Sequence, residues 1–324
     1  MLNLAKKLLK KGSSRKAAKK VLAIDLGGTK IALAVIDQSG RIQDSIRERV
    51  DFSGEYDSLL AQISRLARPL IAKHKLTAGA IASAGPLDPI AGLLLNPTNF
   101  KGKSAGWGVV HFIRDLKRKL KIALQLENDA AAAARAEAWL GAGRGKNNVV
   151  IVTLGTGLGV GVVANGQIVR SGRYLHTEGG HIIINCEGSD WLCGCGNYGC
   201  AEAYLSGANF TKNLGRQWGE PTLSGEELLA RAKRGDAAAV EAFRQYGDKL
   251  AVFFYSLCVL FSPELIVISG GFSHSYELFM PTTEAKLRDL MRTRREGVDM
   301  LPKVKISRFQ DQAGLLGAAR VALD

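Results

Sequence analysis

The residues best equipped for chemistry in this chain crowd into one stretch. His181 is followed by Cys193, Cys195 and Cys200. One imidazole and three thiolates make a closed tetrahedral shell for zinc, with no position left for water, so the expected ion is structural. Gly194, Gly196 and Gly199 let so short a loop fold around it. Cys186 and His176 are spare donors able to replace a ligand, and Cys258, in an apolar helical stretch, reads as core. Glu178 and Glu202 flank the cluster. Held rigid by ligands on either side, they suit sugar hydroxyls as bidentate acceptors; the alternative is surface salt bridging.

Two aspartates are placed for phosphoryl chemistry. Asp25 stands at the end of an apolar run, just before Gly27-Gly28. A carboxylate beside a phosphate loop suits Mg²⁺, directly or through water, although a turn-stabilising Asp has the same address. Asp129, in Glu127-Asn128-Asp129, opens an Ala-rich segment; it serves either as a cap or as a general base toward an attacking alcohol. Gly155-Thr156-Gly157-Leu158-Gly159 imitates a dinucleotide fingerprint, but strand-like residues follow it where that fingerprint needs a helix. A glycine hairpin still offers backbone N–H groups to phosphate, with hydroxyls from Thr29 and Thr156 and a charge from Lys30.

The elements that must position these groups follow from the apolar spacing. VLAIDL, KIALAVID and RIQDSIRERV read as three strands joined by tight turns. Residues 56–74 and 107–121 read as amphipathic helices, AGAIASAG and IALQLE as strands, and 130–140 as a helix ending at Gly141. NVVIVTLGTGLGVGVVANGQIV then repeats the opening pattern, setting Leu154-Gly155-Thr156-Gly157 opposite Leu26-Gly27-Gly28-Thr29. Two copies of one unit predict two similar domains facing a cleft. Residues 223–262 read as mostly helical. ELIVIS is a strand ending at Gly270-Gly271, 276–292 a helix, VKISRF a strand and AGLLGAARVAL a closing helix.

At 324 residues the chain can hold two domains, and 46% hydrophobic with 23% charged residues is ordinary for a globular protein. The formal charge of +14 suggests nucleic acid until it is located. Eight Lys or Arg and no acid stand in the first twenty residues, which leaves +6 for the body. The excess therefore belongs to a tail, expected to be a solvated extension, and no specific nucleic-acid partner is implied. No run of 18 apolar residues predicts a membrane span, and no secretory leader is recognised. Clustered cysteines without a secretion signal point to a reducing, cytoplasmic setting.

Taken together, Asp25-Leu-Gly-Gly-Thr-Lys30, Glu127-Asn-Asp129, Leu154-Gly-Thr-Gly-Leu-Gly159, Glu178-Gly-Gly-His181, the Cys193-to-Glu202 segment and Ser269-Gly-Gly271 resemble the ROK family of bacterial sugar kinases, repressors and related open reading frames. The resemblance runs from about Val21 to the end of the chain. It implies an α/β, two-domain actin/hexokinase/Hsp70-like (ribonuclease H-like) fold, with ATP and a hexose meeting in the interdomain cleft. The implied division is a basic extension at 1–20, a small domain at 21–127 with helix 312–324 packed back on it, and a large domain at 128–311 carrying the zinc loop. By motif, Asp129 resembles the base that activates the sugar hydroxyl. Asn99, Asn128, Glu178, His181 and Glu202 resemble sugar contacts, His181 being also a zinc ligand. Asp25, Gly27, Gly28, Thr29, Lys30, Thr156, Gly157, Gly270 and Gly271 would line Mg-ATP. Homodimers are common in the family.

The chain departs from the family in places. A short Asn-Leu-Pro-Gly-Trp turn is lengthened here to Asn99-Phe-Lys-Gly-Lys-Ser-Ala-Gly-Trp107, and Asp129 is followed by Ala-Ala in place of Ala-Asn. The expectation is an ATP:hexose 6-phosphotransferase, glucokinase-like, with N-acetylhexosamine, mannose or fructose kinases as competitors. A sugar-responsive repressor would need a helix-turn-helix domain ahead of Asp25, and about twenty residues are too few for one.

Overall fold

The computed structural model describes residues 19–51, 55–97, 100, 106–170, 175–186, 188, 191–292 and 300–324. The first eighteen residues and Asn99 lie outside them. Strand β1 (Lys20–Leu26) turns at Gly27-Gly28 into β2 (Lys30–Asp37), and a second turn leads to β3 (Ile42–Arg49). Helix α1 (Glu55–His74) returns the chain to β4 (Ala78–Ser83). Three short strands follow, β5 (Leu87–Asp88), β6 (Leu93–Leu95) and β7 (Val109–Val110), and pair with one another. Helix α2 (Phe112–Leu120), β8 (Ala123–Asn128) and α3 (Asp129–Leu140) complete the first half. The main sheet runs β3-β2-β1-β4-β8, with β1, β2 and β3 antiparallel and β1, β4 and β8 parallel.

The second half opens with β9 (Val149–Leu154), β10 (Leu158–Ala164) and β11 (Gln167–Ile168). After the cysteine loop come α4 (Ala201–Leu205), α5 (Gly207–Trp218), α6 (Gly225–Lys233) and α7 (Ala237–Phe261). Strand β12 (Leu265–Ser269), α8 (Tyr276–Met291), β13 (Lys303–Ile306) and α9 (Ala313–Leu323) end the chain. This sheet runs β11-β10-β9-β12-β13, the first sheet's order strand for strand. The duplication read in the sequence is a duplication of topology.

Central strands are apolar without alternation because both faces are covered. Leu22, Ile24 and Leu26 of β1 pack with Leu59 and Ile63 of α1 and Leu116 of α2, while Val21 and Ala23 face Leu315 and Ala319 of α9. Likewise Val150 and Val152 of β9 join an aromatic-rich core with Phe243, Tyr246 and Phe254, and Val149 and Ile151 meet Ala133 and Ala134 of α3. Helices α3 and α9 meet along small residues: a Cβ on Gly317 would run into the backbone of Ala132.

Two expectations need correction. The helix read over 107–121 begins only at Phe112. Val109 and Val110 are β-branched and pair with Leu95 and Leu94, and Gly108 turns the chain at φ +64°. Helix α4, five residues long, is too short to show a period, and in α5 Gly207 and Gly215 weaken the helical signal. What makes α5 is its cap, Ser206 Oγ accepting the N–H of Asn209, and the burial of Phe210 and Leu214.

Candidate active site

Strand register brings the two aspartates to one edge. Leu26 of β1 lies beside Ser83 of β4, and Ser83 beside Asn128 of β8. Asp25 and Asp129 thus stand at the carboxyl ends of strands two places apart, on the order of 10 Å at the usual strand spacing. Asn128 caps α3, its Oδ1 accepting the N–H groups of Ala130 (3.0 Å) and Ala131 (3.1 Å). Its Nδ2 donates to Asp129 Oδ1 at 3.0 Å, which also takes the Ala130 N–H at 2.8 Å. Asp129 therefore has one oxygen fixed and the other free of protein partners among the described residues. Burial raises its pKa, against the pull of the Ala130 N–H, while solvent still reaches the side chain. Asp25 rises to about 7, first through burial and then through repulsion from Asp129. Its carboxylate lies against Gly314 at the start of α9, where a Cβ would stand 2.6 Å from it.

The two glycine turns are equivalent parts of the duplicated sheets. Gly27 N–H donates to Lys30 O at 3.0 Å and Gly155 N–H to Gly157 O at 3.0 Å. Thr29, Lys30, Thr156 and Gly157 are exposed, and Gly28 is half-buried. Gly270 follows β12 at φ +90°, and a Cβ there would clash with the Leu154 backbone, so Gly270-Gly271 lie against the end of β9 beside the second turn.

His181, Cys193, Cys195 and Cys200 converge, with all four ligand atoms within 4.8 Å of one another. His181 Nδ1 is 3.6 Å from Cys193 Sγ, and Cys195 and Cys200 Sγ are 3.6 Å apart. A tetrahedron with Zn–S bonds of about 2.3 Å has edges of about 3.7 Å, so the donor set fits zinc. Gly196 (φ +91°) and Gly199 (φ +80°) make the turns that close the loop. Cys186 and His176 are not among the converging donors.

Glu178 and Glu202 leave this cluster on different sides. Glu178 Oε2 lies 3.8 Å from His181 Nε2, and its Oε1 takes a hydrogen bond from His176 Nε2 at 2.9 Å. The His176 contact, ahead of opposing burial, lowers the Glu178 pKa. Glu202 Oε2 accepts the Leu158 N–H at 3.0 Å, and its Oε1 is 3.5 Å from Cys193 Sγ. Sequence reading passed over Glu127 as an ion-pair centre. It is wholly buried and forked by Arg170 (3.1 and 2.7 Å), with Arg135 Nε at 3.0 Å. Its signal was one acid with no predictable partner, since Arg170 comes from the far side of the chain. A depression of about 580 Å³ bordered by Ile90, Ile113, Arg114 and Lys117 contains none of these groups. Among the described residues no helix is long and apolar enough to cross a membrane.

Two sheets of matching order, each with a glycine turn after its first strand, define an actin/hexokinase-like α/β protein. The chain belongs to the ROK family, whose profile matches residues 21–324. A Streptomyces griseus ROK family glucokinase, solved with glucose and AMPPNP, aligns over 94% of this chain and 99% of its own, at TM-score 0.77 and 27% identity. A ROK family transcriptional regulator, homologous to the E. coli MLC protein, aligns over 94% of this chain and 78% of its own, at TM-score 0.79 and 25% identity. The N-acetyl-D-glucosamine kinase of Yersinia enterocolitica is 30% identical over 166 residues, 49% of this chain. That match spans 53%, about half, of the curated relative's length.

Proposed function

We propose that this protein is an ATP-dependent hexose kinase that phosphorylates the 6-hydroxyl of its sugar. The observation that carries the proposal is Asp129, with one oxygen fixed and the other open, standing on the same sheet edge as Asp25, two strands away. In this reading the phosphates of ATP rest on Gly27-Gly28-Thr29, Lys30, Thr156-Gly157 and Gly270-Gly271. Asn128, Glu178, His181 and Glu202 hold the sugar, joined by Asn99. The free Asp129 oxygen takes the hydroxyl proton as the alcohol oxygen bonds to the γ-phosphorus and the bond to ADP breaks. Mg²⁺, held near Asp25, would neutralise charge on the phosphates. Zinc, on His181 and the three thiolates, would hold the loop that carries the sugar contacts.

Glucose is the sugar to test first, supported by the full-length alignment to a glucokinase solved with glucose. N-acetylglucosamine is the second, supported by the curated relative over half the chain. A purely regulatory role is disfavoured by the retention of both aspartates, which sugar sensing alone does not require.

The test is ADP release from Mg-ATP with glucose, mannose, fructose, N-acetylglucosamine and N-acetylmannosamine, with Asp129→Asn as control. Asp129-dependent turnover on one sugar supports the proposal and names the substrate. Silence across the panel from folded, zinc-loaded protein would overturn it.

A further inference from the structure

His176 belongs to neither the base nor the converging metal donors, yet it is 8% exposed beside both. A buried core histidine normally satisfies both ring nitrogens. Among the described residues Nδ1 is buried with no hydrogen-bond partner, and the polar contact the ring makes is Nε2 to Glu178 Oε1 at 2.9 Å. A carboxylate only accepts, so Nε2 carries the proton. The ring is gripped from the other half of the chain. Gly85, just past β4, comes so close that a Cβ there would stand 2.9 Å from Cε1 and 3.1 Å from Nε2.

Glu178 needs such a hold. Its side chain is 57% exposed and stands just before a single 3₁₀ turn, Gly179–His181. An exposed glutamate samples several rotamers, and a ligand that uses one of them must stop that sampling. We propose that His176 is a positioning residue of the sugar site: its Nε2–H pins Glu178 Oε1, presenting the carboxylate beside His181 in the orientation that receives sugar hydroxyls. This rests on the reading of Glu178 as a sugar contact.

The experiment is steady-state kinetics on the zinc-loaded full chain, using the sugar that gives turnover. His176→Ala should raise the sugar KM about 10-fold or more, the usual worth of a hydrogen bond to a charged group, with the ATP KM and kcat little changed. His176→Gln, which can place an N–H near the Nε2 position, should recover most of the loss. Gly85→Ala, by displacing the ring, should act in the same direction as His176→Ala. In a Glu178→Gln background, His176→Ala should add little. If Glu178→Gln alone leaves the sugar KM unchanged, it is the sugar-contact reading that fails. If Glu178→Gln raises it but His176→Ala does not, the positioning role is overturned. It is equally overturned if the two effects multiply, if the ATP KM rises in step, or if Gln at position 176 is no better than Ala.

Discussion

Glu202 accepts the backbone N–H of Leu158 at 3.0 Å, joining the first turn of α4 to the strand that leaves the second glycine turn. Its other oxygen lies 3.5 Å from Cys193 Sγ. A Cβ on Gly157 would stand 2.8 Å from Oε2, so a side chain there would push the carboxylate out of its present place. The cysteine cluster and the second glycine turn are therefore mechanically one piece.

Removing the metal should consequently be felt at both substrates. Chelation to below one zinc per chain is expected to raise the KM for sugar and for ATP together, with zinc content followed by elemental analysis. Glu202→Gln, which keeps size but weakens the bond to Leu158, should shift both in the same direction. A change confined to sugar would show that Glu202 does not couple the two.

Asp129→Asn should lower kcat by about 10²–10⁴-fold, the range for loss of a general base, with little change in melting temperature. Because burial raises the Asp129 pKa, the ionised base is lost at a higher pH than for an exposed aspartate of about 3.9. The acid limb of the kcat/KM–pH profile, which reports the free enzyme, should therefore lie above pH 4. A limb at or below that value would contradict the assignment.

Asp25 gives a stability prediction of opposite sense to its catalytic one. Its folded-state pKa is raised from 3.8 to about 7, so the fold favours the protonated form. That contribution is fully present below about pH 4 and is lost as pH rises through 7. Asp25→Asn, which cannot ionise, should stabilise the ligand-free protein at pH 8 by at most a few kcal/mol. The gain should shrink toward pH 4 while turnover is abolished. Mg²⁺ binding near Asp25 would displace a proton, so its affinity should weaken below pH 7; calorimetry in buffers of different ionisation enthalpy would measure that release.

Glu127→Ala should destabilise by about 3–5 kcal/mol, since it strands Arg170 beside a buried hole and leaves Arg135 with Asp324 at 3.5 Å. Thermal melts of this variant beside Arg170→Met would separate the lost pair from the stranded charge.

How much was legible depended on whether a signal was local. The strands announced themselves through unbroken apolar runs, and the duplicated Leu26–Thr29 and Leu154–Gly157 turns carried the topology. The four metal donors were readable because three of them lie within eight positions, Cys193 to Cys200. His176 reads in the sequence as a spare donor, since spacing cannot show that its Nε2 faces Glu178. Strands β5 to β7 escaped because two- and three-residue strands have no period to detect, and Glu127 because Arg170 comes from 43 residues on and Arg135, eight residues on, meets it only across the β8–α3 junction.

Between the sheets, α3 and α9 touch through Ala132, Ala136, Gly317, Ala318 and Ala319. The centre of such a seam has few side-chain rotamers to rearrange, and longer groups meet toward its end, where Arg320 lies over Trp139 and Arg135 reaches Asp324. One sheet could slide or pivot over the other at little steric cost, like plates on a smooth bearing. Bulk introduced there, as by Gly317→Ala, would act as grit: it would press on the Ala132 backbone and slow catalysis by resisting movement.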